Sequence, residues 1–412
     1  MTDAPAAVGA EAAIAAMTRP RQTIEDVDVR GRRVLVRVDF NVPMDGERIT
    51  DDRRIRAAVP TIERLRELQA RIVLVTHLGR PQGQVVEALR VRPVAERLSD
   101  LLGIGVRQAT DSAGPDARRV ADSLDDGDVG MLENIRFEPG EEKDDPELAG
   151  RLAQLADVYV NDAFGTAHRA HASTHGVAER LPAVAGLLMA RELEFLGSVL
   201  TEPRRPVVAI IGGSKVSSKI GVIRSLLQRV DTLWIGGAMA CTFYRAAGEE
   251  TGTSLVEPDQ LETARALIAL AQDLGADLRL PVDCVVAPAP SAGQPTTVVA
   301  STEIPADEAM VDVGPATVTA MTADVAAAGT VVWNGPLGIY EIEEFAQGTR
   351  GVARALAESP AITVVGGGDL AAALEAAGVA GRITHVSTGG GATLEFLEGR
   401  LLPGVAVLRE RA

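Results

Sequence analysis

The sequence contains few of the residues that mark several common kinds of site. Only two of its 412 residues are cysteine, Cys241 and Cys284, and they lie far apart in the chain. This spacing argues against a disulfide framework and against a C-x-x-C metal or redox motif, and it favours a reducing compartment. Aromatic residues make up 3% of the chain. They leave little surface on which the bases of a nucleic acid could stack.

Positive charge and long apolar segments are also scarce. The 41 lysines and arginines are outnumbered by 57 aspartates and glutamates, which gives a net charge of -16. Such a charge argues against a polyanionic partner, and no nucleic acid is expected. No apolar run approaches the roughly 20 residues that a membrane span needs. We therefore expect a cytoplasmic protein without a membrane partner.

The N-terminal residues differ in composition from the rest of the chain. Residues 1–16 are rich in alanine and contain neither lysine nor arginine, unlike a secretory signal or a transit peptide. We expect residues 1–17 to form a disordered extension, and Met17 is a candidate alternative start of translation.

Short apolar runs alternate with helical patterns in two series. The predicted strands cover residues 34–38, 72–76, 129–132 and 158–161 in the first series, and 207–211, 232–235, 278–286, 330–333, 362–365 and 383–386 in the second. Such alternation predicts βαβ units and parallel sheets. We therefore predict an α/β protein with two doubly wound, Rossmann-like parallel-sheet domains joined by a hinge helix. The N-terminal domain is expected over residues 18–186, the connecting helix over 187–205 and the C-terminal domain over 206–400.

Cationic side chains lie at or after the end of every predicted strand of the first series. They are Arg37, His77, Arg80, Arg136 and Arg169. Ligands of parallel sheets bind beyond the carboxyl ends of the strands, so these side chains are predicted to line one pocket. Arginine binds phosphate and carboxylate bidentately, which suits a small anion with several charges. The alternative for each arginine is an ordinary surface ion pair.

Glycines follow several predicted strands of the second series. In residues 207–219, an apolar strand ends at two glycines, and Lys215 and Lys219 follow on one face of the next turn. Glycines at strand ends let backbone N–H groups approach phosphate oxygens. Each such turn is common by itself, but together they predict a nucleotide-sized groove. The further residues of this groove are Gly236, Gly237, Trp333, Asn334, Gly335, Pro336, Glu341, Gly366, Gly367, Gly368, Asp369, Gly389, Gly390 and Gly391.

Two side-chain patterns allow more than one interpretation. Asp369 suits Mg²⁺ on nucleotide phosphates, or it is a helix N-cap. His168, His171 and His175 have the spacing of one helix face, which suggests a metal site. A structural zinc site usually also contains cysteine, and neither cysteine is near in sequence. Anion binding or a hydrogen-bonded hinge is the preferred interpretation of the histidines.

Several long motifs closely resemble the phosphoglycerate kinase family. They occur in the family's order and cover the chain from about Thr18 to its end. The motifs are RVDFNVP (37–43), HLGRP (77–81), LENIRF (132–137), NDAFGTAHRAHAS (161–173), GGSKVSSK (212–219), VWNGPLGIYE (332–341), GGGD (366–369) and STGGGA (387–392). The resemblance implies a monomeric hinge enzyme that interconverts 3-phosphoglycerate and MgATP with 1,3-bisphosphoglycerate and MgADP. It also implies that residues 401–412 return to the N-terminal domain.

The resemblance also implies roles for individual residues. Those expected to bind 3-phosphoglycerate are Asp39, Phe40, Asn41, Arg54, His77, Leu78, Gly79, Arg80, Arg136 and Arg169. Those expected to bind the nucleotide are Gly213, Ser214, Lys215, Lys219, Gly237, Asn334, Gly335, Glu341, Gly367, Gly368, Asp369 and Leu370. Arg54, Lys215 and Lys219 are the expected catalytic residues, and Asp369 is the expected contact to Mg²⁺.

The chain departs from the family pattern at three positions of the nucleotide half. Leu370 stands where the family usually has a small hydroxyl residue, so a side-chain contact to phosphate is lost. Ala238 replaces a usual glycine, and Cys241 occupies a position that is often Phe or Asn. We expect these changes to affect nucleotide affinity. The alternatives are a two-lobed kinase or ligase for another acid and a non-catalytic nucleotide-binding protein.

Overall fold

The computed structural model describes the backbone of residues 4–411 and the side chains of residues 9–411. This part of the chain divides into two compact units. The first contains the described residues up to Glu194 together with those from Leu401 onward, and the second runs from Phe195 to Arg400. No helix in the described part has the length and apolar character needed to cross a bilayer.

The first unit is built around a parallel sheet. Its strands follow the order β5-β6-β4-β1-β7-β8, and every pairing in it is parallel. The elements are β1 (Arg33–Val38), β2 (Met44–Asp45), β3 (Arg48–Ile49), β4 (Arg71–Val75), β5 (Arg107–Gln108), β6 (Val129–Met131), β7 (Val158–Asp162), β8 (Ala183–Ala185), α1 (Ala4–Thr18), α2 (Arg53–Glu67), α3 (Arg92–Leu102), α4 (Pro115–Asp122) and α5 (Pro146–Ala153). Helix α6 (Leu187–Thr201) begins in the first unit and ends in the second.

This strand order creates a switch point beside β1. The chain runs outward from β1 through β4 on one side and returns to β7 on the other. Apolar residues of β1 and β4 pack against the buried faces of α2 and α3, as with Val36, Ile62 and Leu98. Ligand sites of such sheets lie at the carboxyl ends of the strands near the switch point. Of the predicted cationic residues, Arg37 lies near the carboxyl end of β1, and the others follow β4, β6 and β7.

The second unit contains a parallel sheet and a smaller antiparallel one. The parallel strands follow the order β11-β10-β9-β15-β16-β17, and the antiparallel strands follow β13-β12-β14. The elements are β9 (Val207–Ile211), β10 (Thr232–Ile235), β11 (Asp277–Arg279), β12 (Asp283–Ala287), β13 (Thr297–Ala300), β14 (Ala309–Val313), β15 (Thr330–Asn334), β16 (Ile362–Gly366), β17 (His385–Val386), α7 (Ile220–Leu227), α8 (Met239–Ala247), α9 (Leu261–Leu274), α10 (Pro315–Ala327), α11 (Gln347–Glu358), α12 (Gly368–Ala376) and α13 (Gly391–Leu397).

The antiparallel sheet was not predicted. The sequence analysis expected one strand over residues 278–286, but the structure has β11 and β12 there, in different sheets. Pro281 lies between the two strands, and proline interrupts a ladder because it has no N–H to donate. Residues 288–296 join β12 to β13, which pair with each other.

The N-terminal extension forms a helix, which corrects the expectation of disorder for residues 4–17. Ile14 and Met17 of α1 are buried, and Leu402 donates its N–H to Met17 Sδ at 3.4 Å. The guanidinium of Arg21 donates to Ala16 O and to Leu408 O, at 2.6 and 2.9 Å. Alanine favours a helix once an apolar side can be buried. The helix α14 (Pro403–Ala406) lies on the same unit and contacts α1.

Candidate active site

Asp39 and Arg54 form an ion pair beyond the end of β1. Nη1 of Arg54 lies 3.2 and 3.1 Å from the two carboxylate oxygens of Asp39 and 3.2 Å from Asn41 O. Arg54 lies in the first turn of α2, and its side chain is 36% exposed. Since all three bonds use Nη1, the Nε and Nη2 groups have no partner within residues 4–411. The guanidinium is therefore oriented and still has donors for an anion.

His77 lies beyond the end of β4 and is held as a neutral ring. Burial lowers its pKa well below the usual range, and the charges of Arg37, Arg136, Arg54 and Arg169 lower it further. The ring Nδ1 lies 3.2 Å from Nη2 of Arg37. Because the guanidinium can only donate, Nδ1 accepts and Nε2 carries the proton. His77 is therefore a neutral hydrogen-bond donor.

Arg37 supports this pocket rather than offering a free guanidinium to it. The side chain is buried, and it donates to Ser173 Oγ at 2.8 Å and to Val38 O at 2.5 Å in addition to His77. The sequence analysis counted Arg37 among the cations lining the pocket. The structure instead uses it to hold His77, although its charge still contributes to the local potential.

The turn that contains Gly79 is fixed by two predicted site residues. Gly79 donates its N–H to Asn41 Oδ1 at 2.9 Å, and its carbonyl accepts from Arg136 Nη1 at 2.7 Å. Its φ of 63° favours glycine, and a Cβ there would collide with Leu89. Arg136 is largely buried, and burial lowers its pKa in spite of the nearby Glu142 carboxylate.

Phe40 and Leu78 are already engaged with the protein. Both side chains are buried. Phe40 N donates to Thr76 Oγ1 at 3.0 Å, and Leu78 N donates to Asn134 Oδ1 at 3.2 Å. The amide of Asn134 also donates to Leu78 O at 2.8 Å. These two residues therefore hold the neighbouring Asp39, Asn41 and Gly79 in place.

Arg80 and Arg169 differ from these anchored side chains. Arg80 is exposed, and in the described chain its guanidinium makes no hydrogen bond or ion pair. Arg169 is half-buried, and its Nε donates to His168 Nε2 at 3.0 Å. Both guanidinium groups therefore keep donors for an anion, and the first unit combines fixed cations with adjustable ones.

Glu141 is a supporting residue that the sequence analysis missed. It is fully buried, and it accepts from Ser173 N at 3.0 Å and from Ser173 Oγ at 2.6 Å. Burial raises the pKa of this carboxyl, against the opposing effects of Arg37 and the Ser173 hydrogen bonds. Burial and the surrounding arginines also lower the pKa of the adjacent His171 to about 3. Glu141 begins the short 3₁₀ turn Glu141–Lys143, so its position carried no periodic signal.

The three histidines do not share a helix face. His168 lies in a turn, His171 precedes the π-helical turn Ala172–Gly176, and His175 is within that turn. His175 Nδ1 lies 2.7 Å from Asp144 Oδ2. Across the residues that the structure describes, no cluster of three or more His, Cys, Asp or Glu side chains is placed to hold a metal ion.

The second unit contains a cavity of about 860 Å³ beyond the carboxyl ends of β9, β15 and β16. Most of the predicted nucleotide-binding residues line it. They are Gly213, Ser214, Lys219, Gly237, Asn334, Gly335, Glu341, Gly367, Asp369 and Leu370. Lys215 and Gly368 were predicted as well, but they are not among the lining residues.

The floor of this cavity is backbone packed on backbone. Gly212 N donates to Asn334 O at 2.8 Å, and Gly213 N donates to Pro336 O at 3.0 Å. Gly335 has a φ of 86°, and a Cβ there would collide with Gly212. The glycines therefore allow the ends of β9 and β15 to meet closely.

Lys219 points into this site and Lys215 does not. Nζ of Lys219 donates to Asn334 Oδ1 at 2.5 Å. Burial lowers the pKa of Lys219 to about 8, although the carboxylates of Asp369 and Glu398 act to raise it. The Nδ2 group of Asn334 is buried and has no partner in the described chain. Lys215 is exposed, and its side chain makes no hydrogen bond or ion pair within the described residues.

Asp369 lies in the first turn of α12, at the edge of the cavity. It is exposed, and no hydrogen bond or ion pair of its side chain occurs in the described residues. The N–H groups at the start of a helix favour the phosphates of a nucleotide. A carboxylate beside them suits the Mg²⁺ that accompanies these phosphates, because Mg²⁺ is usually held by one carboxylate together with substrate phosphates and water. The adjacent Leu370 side chain is buried.

The apolar wall of the cavity was not foreseen. It comes from β14 and the loop between β12 and β13, through Pro288, Pro290, Met310 and Val311, together with Leu255 of the segment between α8 and α9. None of these residues was predicted to belong to a site. A run of apolar residues in a loop is the one signal that could have suggested a binding surface for a nucleoside base.

Comparisons with known proteins agree on one family. A family model described as phosphoglycerate kinase matches residues 24–400. The chain is 56% identical over 391 residues to the phosphoglycerate kinase of Pelotomaculum thermopropionicum, which covers 95% of this chain and 100% of that protein. The identity and both coverages are the same for the phosphoglycerate kinase of Thermomicrobium roseum.

Solved structures give the same result. The structure of phosphoglycerate kinase from Coxiella burnetii is similar with a TM-score of 0.85 at 41% identity, covering 94% of this chain and 98% of that one. The phosphoglycerate kinase of Pyrococcus horikoshii has a TM-score of 0.83 at 32% identity, with the same coverages.

Proposed function

The chain belongs to the phosphoglycerate kinase family, and we propose that its two units each hold one substrate of that family's reaction. The enzyme reversibly transfers the γ-phosphoryl group of ATP to the carboxylate of 3-phosphoglycerate, which gives 1,3-bisphosphoglycerate and ADP. The observation that best supports the proposed residue roles is the orientation of Arg54. Asp39 and Asn41 O hold its guanidinium through Nη1 alone.

The first unit binds 3-phosphoglycerate in this proposal. Arg80, Arg136 and Arg169 bind the phosphate, because guanidinium groups match phosphate oxygens bidentately. Asp39, Asn41 and neutral His77 bind the hydroxyl and carboxylate end near Arg54. A neutral His77 donates one hydrogen bond and adds no further charge among the arginines. Phe40, Leu78 and Gly79 hold these groups at the correct spacing.

The second unit binds the nucleotide as MgATP. The base lies against the apolar wall near Met310, and the phosphates extend toward Gly213, Lys219 and the N-terminus of α12. Asp369 contacts the Mg²⁺ ion that arrives with ATP. When bound, this ion reduces the negative charge of the phosphates. Lys219 and the backbone N–H groups orient the polyphosphate, and buried Asn334 fixes Lys219.

No general base is needed for the transfer. The attacking carboxylate of 3-phosphoglycerate is already ionised at neutral pH. One of its oxygens bonds to the γ-phosphorus as the bond between that phosphorus and the ADP oxygen breaks in line. Negative charge then spreads over the equatorial oxygens of the moving group. Arg54, Lys215 and Lys219 stabilise that charge.

The reaction requires the two substrates to meet, so we propose that the units close around them. Closure would bring Arg54 to the phosphoryl group beside Lys215 and would exclude water that hydrolyses ATP. The hinge candidates are α6, the histidine-containing segment of residues 168–175 and the C-terminal segment of residues 401–412. Small-angle scattering should show compaction only when both substrates are bound. No compaction in that complex would contradict closure.

Activity with defined acids tests the assignment of substrate sites. Purified enzyme is assayed with MgATP and 3-phosphoglycerate, and then with glycerate, which lacks the phosphate. We expect turnover with the first acid and a large loss of kcat/KM with the second, because the arginines then have no phosphate to bind. Equal turnover with both acids would contradict the proposed arginine site. We also propose a monomer in the cytoplasm, which sedimentation and cell fractionation can test.

A further inference from the structure

Glu257 holds the turn between the two lysines of the nucleotide unit. Its Oε1 accepts from Ser217 Oγ at 2.6 Å, and its Oε2 accepts from Ser217 N at 3.0 Å. Ser217 is the middle residue of the 3₁₀ turn Val216–Ser218, which directly follows Lys215. One carboxylate therefore binds both the backbone and the side chain of this turn.

Glu257 is itself fixed to the core of the second unit. Its backbone N–H donates to Thr242 Oγ1 at 3.1 Å. Thr242 belongs to α8 and is buried. The same helix donates the N–H of Met239 to Gly213 O at 3.1 Å. The segment that contains Lys215 is thus tied to α8 on both sides, once through Gly213 and once through Glu257.

The two lysines are positioned by different means. Lys219 is half-buried, and its Nζ is held directly by Asn334 Oδ1. Lys215 is exposed, and its side chain makes no hydrogen bond or ion pair within the described residues, although its charge acts on the Glu257 carboxylate. Its backbone carbonyl accepts from Ser218 Oγ at 2.9 Å. The direction of the Lys215 side chain therefore depends on the backbone that Glu257 anchors.

The conformation before Lys215 makes this anchor important. Gly213 has a φ of 117°, and a Cβ built on it would meet nothing within 4 Å. Glycine loses more backbone freedom on ordering than other residues do. A turn that follows such a glycine needs fixed contacts to keep one conformation. Ser217 and its carboxylate partner supply them.

We propose that Glu257 is a positioning residue for phosphoryl transfer, because it fixes the turn that aims Lys215 at the moving phosphoryl group. This inference rests on the proposed role of Lys215. Glu257 does not line the nucleotide cavity, so we do not propose that it contacts either substrate. Its effect reaches the reaction through Ser217 and the backbone of Lys215.

A carboxylate suits this role better than an amide. Both of its oxygens accept, so it can bind the Ser217 N–H and hydroxyl together, whereas a glutamine would direct an NH₂ group at one of these donors. Partial burial acts to raise the pKa of Glu257, but hydrogen bonds from Ser217 and Val216 and the charge of Lys215 lower it overall. Glu257 therefore remains ionised at neutral pH.

A double-mutant cycle between Glu257 and Lys215 tests the proposal. Since small misplacements of a reacting group are costly, we expect Glu257→Ala to lower kcat about 10-fold. The KM for MgATP should change by less than about twofold, because the contacts that bind MgATP equally in the ground state and in the transition state are retained. In a Lys215→Ala background, Glu257→Ala should lower kcat by less than about twofold. Glu257→Asp, which keeps the charge but shortens the side chain, should lie between wild type and Glu257→Ala.

The matched control is Glu262→Ala. Glu262 is an exposed glutamate nearby in sequence whose carboxylate pairs with Arg265. The Glu262→Ala variant should have the wild-type kcat. If Glu257→Ala lowers kcat equally with and without Lys215, it does not act through Lys215, and the proposal is overturned. If Glu257→Ala keeps the wild-type kcat while Lys215→Ala lowers it, the positioning role of Glu257 is overturned and the catalytic role of Lys215 stands. If Lys215→Ala itself keeps full kcat, the catalytic role proposed for Lys215 fails, and this inference fails with it.

Discussion

The candidate anion sites of the two units are built from different kinds of groups, side chains in the first unit and backbone in the second. In the proposed 3-phosphoglycerate site of the first unit the groups are side chains, above all the guanidinium groups of Arg54, Arg80, Arg136 and Arg169. The second unit uses backbone at glycine turns, helped by Lys219. Both sites lie at the carboxyl ends of parallel strands, so the sheets alone do not explain the difference.

The chemistry of the two ligands explains it. A three-carbon acid offers a carboxylate, a hydroxyl and one phosphate at a short distance, and directional guanidinium groups can distinguish these ends. A polyphosphate chain offers many equivalent oxygens, for which backbone N–H groups and a helix N-terminus are sufficient. In the proposed assignment, side chains therefore supply specificity in the first unit, and backbone N–H groups at closely packed glycine turns supply affinity in the second.

Removal of one guanidinium should have the largest effect. On the model of arginine fingers, we expect Arg54→Ala to lower kcat about 10³-fold. The KM for MgATP should rise far less, because Arg54 acts on the transferring group. Steady-state kinetics with both substrates varied measures this. Arg56→Ala is the control, since Arg56 is exposed on the same helix and pairs with Asp52 at 2.8 Å. An unchanged kcat in Arg54→Ala would contradict the proposed role.

A side chain added to the backbone floor should have the next largest effect. Gly335→Ala places a Cβ at a φ of 86° and against Gly212. Such strain costs about 1–3 kcal/mol, and we expect a lower thermal stability and a higher KM for MgATP. The KM for 3-phosphoglycerate should stay within about twofold. Gly381→Ala is the matched control, because a Cβ there meets nothing within 4 Å. Wild-type nucleotide binding in Gly335→Ala would rule out a rigid backbone floor.

The pH dependence should separate the lysine site from the arginine site. With a pKa of about 8 for Lys219, kcat/KM for MgATP should be level below pH 8 and should fall as the pH rises through about 8. Bound phosphate stabilises the charged lysine. The pH at which kcat/KM begins to fall, here called the break, should therefore be higher when 3-phosphoglycerate is varied at saturating MgATP. Lys219→Met should lose the break. A break at the same pH in that variant would assign it to another group.

The same ionisation has the opposite effect on stability. The pKa of Lys219 is lowered on folding from 10.5 to about 8. Between these values the unfolded chain binds more protons than the folded one, so the free energy of unfolding rises with pH in this window. Denaturant unfolding of wild type and Lys219→Met at pH 7 and pH 10 measures the difference. An equal pH response of the two proteins would contradict the assignment.

The smallest effect on catalysis is expected at the N-terminus. Deletion of residues 2–16 removes buried Ile14 and the acceptor Ala16 O from Arg21. Burial of one such side chain contributes about 1.5–3 kcal/mol, so the melting temperature should fall while kcat stays at the wild-type value. A chain with Glu11→Ala, which keeps α1, is the control. An unchanged melting temperature would show that α1 does not stabilise the first unit.

Much of both sites could be predicted from short segments. Strand β9 was predicted over the residues that form it. The turns after the predicted strands pointed to Arg136, Lys219 and Asp369. The strand positions could be predicted because an apolar run and the turn after it are determined locally, whereas the binding roles of these residues stay predictions. Glu141 could not be found in this way. Its role depends on Ser173 and Arg37, which are distant in sequence and meet it only in the folded unit.

The sequence by itself determined which chemistry is present: parallel strands followed by turns that contain arginines in one half and glycines in the other. Tertiary structure decided how each group is used. It placed Arg37 behind His77, formed the apolar wall from an antiparallel sheet, and folded α1 against the C-terminal segment. It also held Lys219 through Asn334 and the Lys215 turn through Glu257. The physical reason is that burial and hydrogen-bond partners are properties of the folded chain, and local patterns do not specify them.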